Sequence, residues 1–552
     1  MNFSIVSKNL TCSLFFLFIL LLGFSAFAQS KVYEIDARHL VKKEIKAIGM
    51  SATNPEGTSL SVNNKYFEKN GKPWFPLMGE IHYNRVPSQY SQHSIIQMKS
   101  AGLSIVATYV FWNEHEPEKG VWDWKGNRDL RHFIELCKKN NMLVWLRIGP
   151  WSHGEQLNGG FPEWIENMKG KRTNDPAYLA EATKLFNQIG DQTKDLYFKD
   201  GGPIIGAQLE NEYASGQPEH ISMLKKIALS ANIHPVYWSV TANTVFDENK
   251  LSVIPLQGAY PYRGWEKAGG GPTRDFLYAD DNWILTGSLG KVYYDITKFP
   301  KGFCELGAGS QMTYSNRFVV DPNVIEALLQ NEIGRGVNMI GYYMFQGGTQ
   351  TRGLKEPGLP KSYDFQAPIS EFGLIRKSYK DLKILHNFIN DFGSDLAPMQ
   401  VVESANPIRD PFDTTDLRYI ARVKDNTGFL FLCNTQPHVH MPDKQVTMKV
   451  KLPDETITFP SVLLKGQTTA ILPFNLNINN ALLKYATVQP LARINKGKEQ
   501  FVFFTEVPGM DVELAFDSAT VQSLSAKNWK KEAADEKIIL TFEGKDADPI
   551  KI

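Results

Sequence analysis

The segment PIIGAQLENEY, residues 203–213, begins as an apolar run and ends in two glutamates, Glu210 and Glu212, on either side of Asn211. A short, nearly continuous apolar run is typical of a strand that is buried on both faces of a parallel sheet. Seven further runs share this character: FPLMGEIHY (75–83), SIVATYVFW (104–112), MLVWLRIG (142–149), HPVYWSV (234–240), VIPLQGAY (253–260), GFCELGAG (302–309) and NMIGYYMFQGG (338–348).

Amphipathic stretches lie between these runs, for example RDLRHFIELCKKNN (128–141) and NVIEALLQNEIGRG (323–336), and they fit helices. Eight buried strands that alternate with helices predict an α/β fold, a (β/α)8 TIM barrel over residues 63–393. In such a barrel the active site lies at the carboxyl ends of the strands.

The sequence on either side of the predicted barrel has a different pattern of apolar, polar and turn residues. Residues 394–552 contain alternating, turn-punctuated segments such as DLRYIARV (416–423) and TGFLFLCNTQ (427–436). These segments predict a C-terminal all-β region, either one sandwich or two small sheets. Residues 29–62 are expected to form a turn-rich N-terminal lead-in.

Residues 1–28 have the features of a cleaved signal peptide. Lys8 precedes an apolar stretch from Leu14 to Phe27, and this stretch ends in the small-residue signal Ala26-Phe27-Ala28. We expect cleavage after Ala28 and export to the periplasm or the exterior. No second long apolar run follows, so no membrane span is expected.

Composition narrows the class of partner. The chain has 60 basic and 59 acidic residues, a net charge of +1, and no run rich in Lys and Arg, so we expect an uncharged partner rather than nucleic acid. Neither His115-Glu116 nor any cysteine pair has the spacing of a metal site. We therefore expect no metal and no cofactor, and the sequence indicates no oligomeric state.

The two glutamates of the opening segment need a reason to lie at a strand end. Because side chains alternate along a strand, Glu210 and Glu212 are expected on the same face, with Glu212 nearer the carboxyl end. Glu305 ends the seventh run, and Glu155 follows the third. Two carboxylates from strands four and seven can face each other at the ~5 to 5.5 Å of a retaining glycosidase. The alternative is that each belongs to an ordinary ion pair.

Six motifs together resemble glycoside hydrolase family 35, the β-galactosidases of a barrel superfamily with catalytic glutamates on strands four and seven. The resemblance covers residues 70–390. The motifs are GEIHYNRVP (79–87), TYVFWNEHEP (108–117), RIGPWSHGEQLNGGFPEWI (147–165), GGPIIGAQLENEYASG (201–216), GYYMFQGGTQ (341–350) and SYDFQAPISEFG (362–373).

The resemblance implies roles for individual residues. Glu212, directly after an asparagine, is implied to be the acid/base, and Glu305 the nucleophile. Asn211 is implied to bind the sugar 2-hydroxyl, and Glu210 to support the pair. Four further residues are implied to bind the sugar or to lie beside the nucleophile: Tyr109, Glu155, Tyr343 and Tyr363.

The implied activity is exo-acting release of terminal β-linked galactose from oligosaccharides or complex glycans. Departures from the family pattern concern specificity: Gln156 replaces a common tryptophan, Gln350 replaces an asparagine, and Leu306-Gly307-Ala308-Gly309 follows the nucleophile. We expect the stretch after the nucleophile to leave that wall of the site more open, and all three departures to affect the choice of aglycone and the tolerance of a related sugar. The alternatives are a retaining exo-glycosidase for a related sugar such as an arabinopyranoside, and a non-catalytic glycan-binding barrel.

Overall fold

The structure is a computed structural model that describes residues 30–41, 44–544 and 547–552. The predicted signal peptide, residues 1–28, lies outside the described residues. In chain order the strands are β1 (Lys31–Asp36), β2 (Ala47–Thr53), β3 (Ser59–Asn63), β4 (Phe67–Lys69), β5 (Lys72–Trp74), β6 (Leu77–Glu80), β7 (Ile105–Tyr109), β8 (Leu143–Arg147), β9 (Ile204–Gln208), β10 (Tyr237–Thr241), β11 (Ile254–Ala259), β12 (Phe303–Gly307), β13 (Ile340–Tyr343), β14 (Gly348–Thr349), β15 (Ser362–Tyr363), β16 (Gln400–Glu403), β17 (Arg418–Lys424), β18 (Thr427–Asn434), β19 (Lys444–Lys451), β20 (Thr456–Thr458), β21 (Val462–Leu464), β22 (Thr468–Ile478), β23 (Ala481–Ala486), β24 (Gln489–Lys496), β25 (Glu499–Thr505), β26 (Val512–Asp517), β27 (Lys530–Ala534) and β28 (Lys537–Phe542).

The helices alternate with the barrel strands. They are α1 (Ser88–Ser100), α2 (Trp112–His115), α3 (Leu130–Lys139), α4 (Glu163–Glu166), α5 (Pro176–Thr193), α6 (Pro218–Ser230), α7 (Asp281–Ser288), α8 (Pro322–Gly334) and α9 (Lys377–Leu396).

Strands β6 to β13 pair in parallel and close into a barrel in chain order, β13 pairing with β6. Every residue of β7, β9 and β10 is buried, as the apolar runs predict. The eight strands predicted from the sequence are these eight, and the (β/α)8 prediction is confirmed.

Local sequence signals explain where the helices begin. Asp129 accepts a hydrogen bond from the His132 amide at the start of α3, and Asp175 caps α5 ahead of Pro176. On α3 the buried residues recur with helical spacing, which presents one apolar face to the barrel: Leu130, Phe133, Ile134 and Cys137.

An antiparallel sheet of β2, β3, β4 and β5 covers the amino-terminal end of the barrel. The Tyr237 hydroxyl, at the start of β10, donates to the Ser61 carbonyl (3.1 Å), and the Phe67 ring packs edge-on against the Tyr237 ring. The sheet contains residues on both sides of position 62, the end of the lead-in predicted from the sequence. It leaves the opposite, carboxyl-terminal end of the barrel free for a site.

The C-terminal region is all-β, as predicted, and forms a sandwich. One layer has eight antiparallel strands in the order β16-β17-β18-β22-β23-β26-β28-β27, and the other has β1, β19, β20 and β21. Strand β1 pairs in parallel with β19, so part of the predicted lead-in belongs to this sandwich. Side chains of β18 alternate: Leu430 and Leu432 face the second layer, whereas Phe429 and Phe431 pack into the barrel core.

Arg422 on β17 joins the sandwich to the barrel. Its buried guanidinium donates to the carbonyls of Ile333 and Leu396, both at 2.8 Å, in the last turns of α8 and α9. Carbonyls in the last turn of a helix have no partner within the helix, so a cation is well suited to bind them.

Two further observations apply to the part of the chain that the structure describes. Cys137, Cys304 and Cys433 are buried and unpaired there. Of its helices, none combines the length and the apolar character that crossing a membrane requires.

Candidate active site

Arg147 is the central cation of the barrel mouth. It ends β8 and is 1% exposed. Its Nη1 donates to Glu80 Oε2 (2.8 Å), and its Nη2 donates to Asn211 Oδ1 (2.8 Å) and to Glu305 Oε1. Glu80 ends β6, Asn211 follows β9 and Glu305 lies in β12. The guanidinium of Arg147 therefore connects β8 with three other strands at the mouth.

Glu305 lies in β12 with 14% of its side chain exposed. Its two oxygens have different donors, since Arg147 binds Oε1 and the Tyr260 hydroxyl donates to Oε2 (2.9 Å). Burial raises the pKa of Tyr260 well above its ordinary value, so the hydroxyl keeps its proton and acts as a donor. The carboxylate is therefore held in one orientation by two donors, which also stabilise its negative charge.

Glu210 and Glu212 do not share a face, and the prediction based on strand alternation is wrong. Strand β9 ends at Gln208, and Glu210 and Glu212 have φ angles of 55° and 47°, so the chain has left the extended conformation before it reaches them. Glu210 is fully buried and accepts from Arg172 Nε (3.0 Å) and Nη2 (2.6 Å). Arg172 Nη2 also donates to the Asn211 carbonyl (2.8 Å), so this pair stabilises the loop that carries Glu212.

Glu212 lies on the other side of this loop with 51% of its side chain exposed. Partial burial and the negative charge of Glu305 raise the pKa of Glu212, although solvent still reaches the carboxyl group. His153 Nδ1 is 3.7 Å from Glu212 Oε2. Burial opposes protonation of His153, but Glu155 and Glu212 outweigh it and raise the pKa of the imidazole.

Asn211 is oriented by two donors. Its Oδ1 accepts from Arg147 Nη2 (2.8 Å) and from Gln208 Nε2 (3.3 Å). Both contacts require the amide oxygen on the side of Arg147, so the Nδ2 group points away from the guanidinium.

Glu155 and the predicted tyrosines form a second group of contacts. The Tyr363 hydroxyl donates to Glu155 Oε2, and the Tyr343 hydroxyl lies 3.3 Å from the same oxygen and 2.9 Å from the Tyr363 hydroxyl. The ring of Tyr109 packs under Arg147, 3.9 Å from the guanidinium carbon to the ring centroid. Tyr343, expected beside the nucleophile, directs its hydroxyl to Glu155, and Tyr260 is the tyrosine that binds Glu305.

The two glutamines that depart from the family pattern bind one buried cation. Arg85 Nη2 donates to Gln156 Oε1 (2.8 Å) and to Gln350 Oε1 (3.4 Å), and the guanidinium lies 4.1 Å from the Tyr363 ring centroid. Gln156 Nε2 donates in turn to Glu114 Oε1 (3.1 Å). A polar network therefore fills this part of the wall.

The segment after Glu305 is also closed, contrary to the expectation of an open wall. Leu306 and Ala308 are buried. A Cβ on Gly307 would lie 2.6 Å from the Tyr260 ring, and a Cβ on Gly309 would lie 2.1 Å from the Phe365 carbonyl. The glycines let neighbouring segments approach closely, so the volume that a larger side chain would take is already occupied.

Open space lies instead beside Glu212. A cavity of about 380 Å³ is lined by residues 171–173 and 212–217. Elsewhere on the rim, Trp265 is 65% exposed and packs edge-on against the Tyr260 ring, with 5.4 Å between centroids. Among the described residues, no group of three or more His, Cys, Asp or Glu side chains is arranged to hold a metal ion.

Known proteins similar to this chain include animal, plant and bacterial beta-galactosidases. The mouse (Mus musculus) protein named beta-galactosidase is 32% identical over 336 residues, 59% of this chain and 49% of the mouse protein. Beta-galactosidase 13 of Arabidopsis thaliana is 28% identical over 430 residues, 75% of this chain and 45% of the plant protein. The chain thus spans about half the length of the curated relatives it matches. A crystal structure of beta-galactosidase from the psychrophilic Marinomonas ef1 aligns with a TM-score of 0.41 and 10% identity, over 60% of this chain and 62% of that one.

A family model also matches the chain. The model described as glycosyl hydrolases family 35 matches residues 66–389, which contain every barrel strand and every site residue discussed above. That range is more than half of the chain, and this protein therefore belongs to glycosyl hydrolase family 35.

Proposed function

We propose that the protein is an exo-acting, retaining β-galactosidase that releases terminal β-linked galactose from oligosaccharides or complex glycans. One observation carries the proposal: Glu212, after the fourth barrel strand, and Glu305, on the seventh, interact across the barrel mouth, where burial and the charge of Glu305 raise the pKa of Glu212. A retaining glycosidase needs one carboxyl group as nucleophile and a second that gives a proton to the leaving group, and a raised pKa suits Glu212 to the second role. Family membership and the names of the relatives support galactose as the sugar.

In this proposal Glu305 attacks the anomeric carbon and forms a covalent glycosyl-enzyme, while Glu212 gives its proton to the departing glycosidic oxygen. Ester formation removes the negative charge of Glu305. The pKa of Glu212 then falls, because the repulsion that raised it is lost, and Glu212 becomes the base that activates water for the second step.

The sugar contacts follow from the orientation of the polar groups. Asn211 presents its Nδ2 group, because its oxygen is bound to Arg147 and Gln208, and we assign that donor to the sugar 2-hydroxyl. Glu155, held by Tyr343 and Tyr363, is assigned to accept from further galactose hydroxyls. Tyr109 supports the site from beneath Arg147.

Exo-action is supported by the closed walls around Arg85 and after Glu305. A site closed on these sides would accept a chain end rather than the middle of a polymer. The leaving group would extend into the cavity of about 380 Å³ beside Glu212, because the acid must lie next to the oxygen that it protonates. Residues 171–173 and 213–217 would then contact the aglycone.

A panel of aryl glycosides tests the proposal. We expect the β-galactoside to be cleaved fastest, with β-galactose as the first product by NMR and with free galactose as the first product from oligosaccharides. A fluorinated slow substrate should label Glu305. First-formed α-galactose contradicts retention, faster cleavage of an arabinopyranoside reassigns the sugar, and binding without cleavage of any substrate supports a glycan-binding barrel.

We also propose export through residues 1–28 to the periplasm or the exterior. The order of Lys8, the apolar stretch and Ala26-Phe27-Ala28 supports this proposal. Sequencing the amino terminus of the protein from fractionated cells should place it at Gln29. An uncleaved chain in the cytoplasmic fraction contradicts export.

A further inference from the structure

Glu80 is a buried carboxyl group that the proposed mechanism does not use. It ends β6 and its side chain is completely buried. Burying an unpaired carboxylate destabilises a folded protein by on the order of several kcal/mol. The presence of Glu80 at the barrel mouth therefore requires specific partners.

A chain of hydrogen bonds supplies these partners. Arg85 Nη1 lies 2.9 Å from His82 Nδ1, and since a guanidinium only donates, His82 Nδ1 is the acceptor. Burial and the charges of Arg85 and Arg147 hold the pKa of His82 well below its ordinary value, so the ring is neutral and carries its proton on Nε2. That Nε2 then donates to Glu80 Oε1 (3.2 Å). Glu80 Oε2 accepts from Arg147 Nη1 (2.8 Å).

Arg147 is therefore shared by two carboxylates. Its Nη1 binds Glu80, and its Nη2 binds Asn211 and Glu305. Burial raises the pKa of Glu80 to about 7, although Arg147 opposes the shift. The titratable groups that face Glu80 or act on it come from several strands: His82, Tyr109, Arg147, Glu155, Cys304, Glu305 and Tyr343.

We propose that Glu80 is a positioning residue that acts on Glu305 through Arg147. It binds one arm of the guanidinium, so that the other arm lies between Asn211 and Glu305. It also competes with Glu305 for the positive charge, so that Glu305 is oriented without being fully neutralised and keeps its nucleophilicity. The inference rests on the proposed role of Glu305 as nucleophile.

Glu80→Gln tests this, because it keeps the shape of the side chain and removes its charge. With that charge gone, Arg147 stabilises the Glu305 carboxylate more strongly. Wild-type Glu80 carries this charge only above a pH of about 7, so we expect the two proteins to differ there and to converge at lower pH. A better stabilised carboxylate is a weaker nucleophile, so above that pH kcat should fall about tenfold while KM changes less than about twofold.

Two variants control for structural damage. Glu332 on α8 is also a buried glutamate beside an arginine, 2.8 Å from Arg335 Nη1, with its pKa raised by burial to about 8. Glu332→Gln should lower the melting temperature without lowering kcat above a pH of about 7. Glu80→Asp retains the charge and should keep kcat in that pH range closer to that of the wild type than Glu80→Gln does.

An infrared titration of the protein without substrate separates this inference from the proposed function. In the wild type, protonated-carboxyl bands should include one that disappears as the pH rises through about 7 and that is absent in Glu80→Gln. If no such band is found, or if kcat of a folded Glu80→Gln protein matches that of the wild type above a pH of about 7, the inference is wrong, whichever sugar the enzyme cleaves.

Discussion

Replacing Tyr260 by phenylalanine removes one of the two donors to Glu305 and leaves the packing of the ring unchanged. The lost hydrogen bond joins a hydroxyl to a carboxylate at 2.9 Å. Hydrogen bonds to charged groups contribute about 1.5–3 kcal/mol, and about 1.4 kcal/mol corresponds to one pH unit. Because Arg147 still binds the other oxygen and the side chain is 14% exposed, we take the lower end, about one unit.

The direction of the shift is fixed by the chemistry. The hydroxyl stabilises the ionised form of the nucleophile, so its loss favours the protonated form, and the acid limb of kcat/KM moves to higher pH. On the acid side of the optimum, activity toward an aryl β-galactoside should fall about tenfold.

Tyr342→Phe is a matched control. Tyr342 is also a buried barrel tyrosine, but its hydroxyl lies 2.7 Å from His386 Nε2 and does not contact Glu305. This variant should keep the wild-type acid limb even if it melts at a lower temperature. An acid limb of Tyr260→Phe that stays in place, or moves to lower pH, refutes the reasoning about how Glu305 is held.

Three other changes have defined outcomes. Glu212→Ala should slow substrates with poor leaving groups far more than activated ones, and azide should partly restore activity; equal losses for all leaving groups contradict its role as the acid. His153→Ala removes an imidazole 3.7 Å from Glu212 whose positive charge, when protonated, lowers the pKa of Glu212, so that pKa should rise further and the basic limb of the pH profile should move to higher pH; a shift to lower pH contradicts this. Arg422→Met leaves helix-end carbonyls unpaired and should lower the free energy of unfolding by about 3 kcal/mol in chemical denaturation; a loss below about 1 kcal/mol contradicts its joining role.

The barrel could be predicted from the sequence because a strand that is buried on both faces of a parallel sheet is visible as a short apolar run. Each of the eight runs is apolar over the length of one strand, and each corresponds to one barrel strand. The pairing of β1 could not be predicted in this way, because its partner β19 lies far away in the sequence, in the C-terminal region. The local sequence of a strand does not indicate which distant strand it pairs with.

Without the family resemblance, which named Asn211 and the tyrosines, the candidate site could be predicted only where a carboxyl group lies at the end of an apolar run. Glu212 and Glu305 stand out for that reason, whereas Arg147 and Tyr260 lie in segments that are equally compatible with ordinary strand ends. Their importance comes from the meeting of β8, β11 and β12 in space. The separation of Glu210 from Glu212 was missed because it depends on positive φ angles after Gln208, for which these residue types give no signal.

The charge of Glu305 connects the site to the transition state of the proposed reaction. Glycoside cleavage passes through an oxocarbenium-like state, so positive charge develops on the sugar ring while the substrate itself is neutral. Arg147 and Tyr260 hold the Glu305 carboxylate in one orientation at the barrel mouth. A carboxylate fixed where positive charge develops interacts more strongly with the transition state than with the neutral ground state, which is the differential stabilisation that accelerates a reaction.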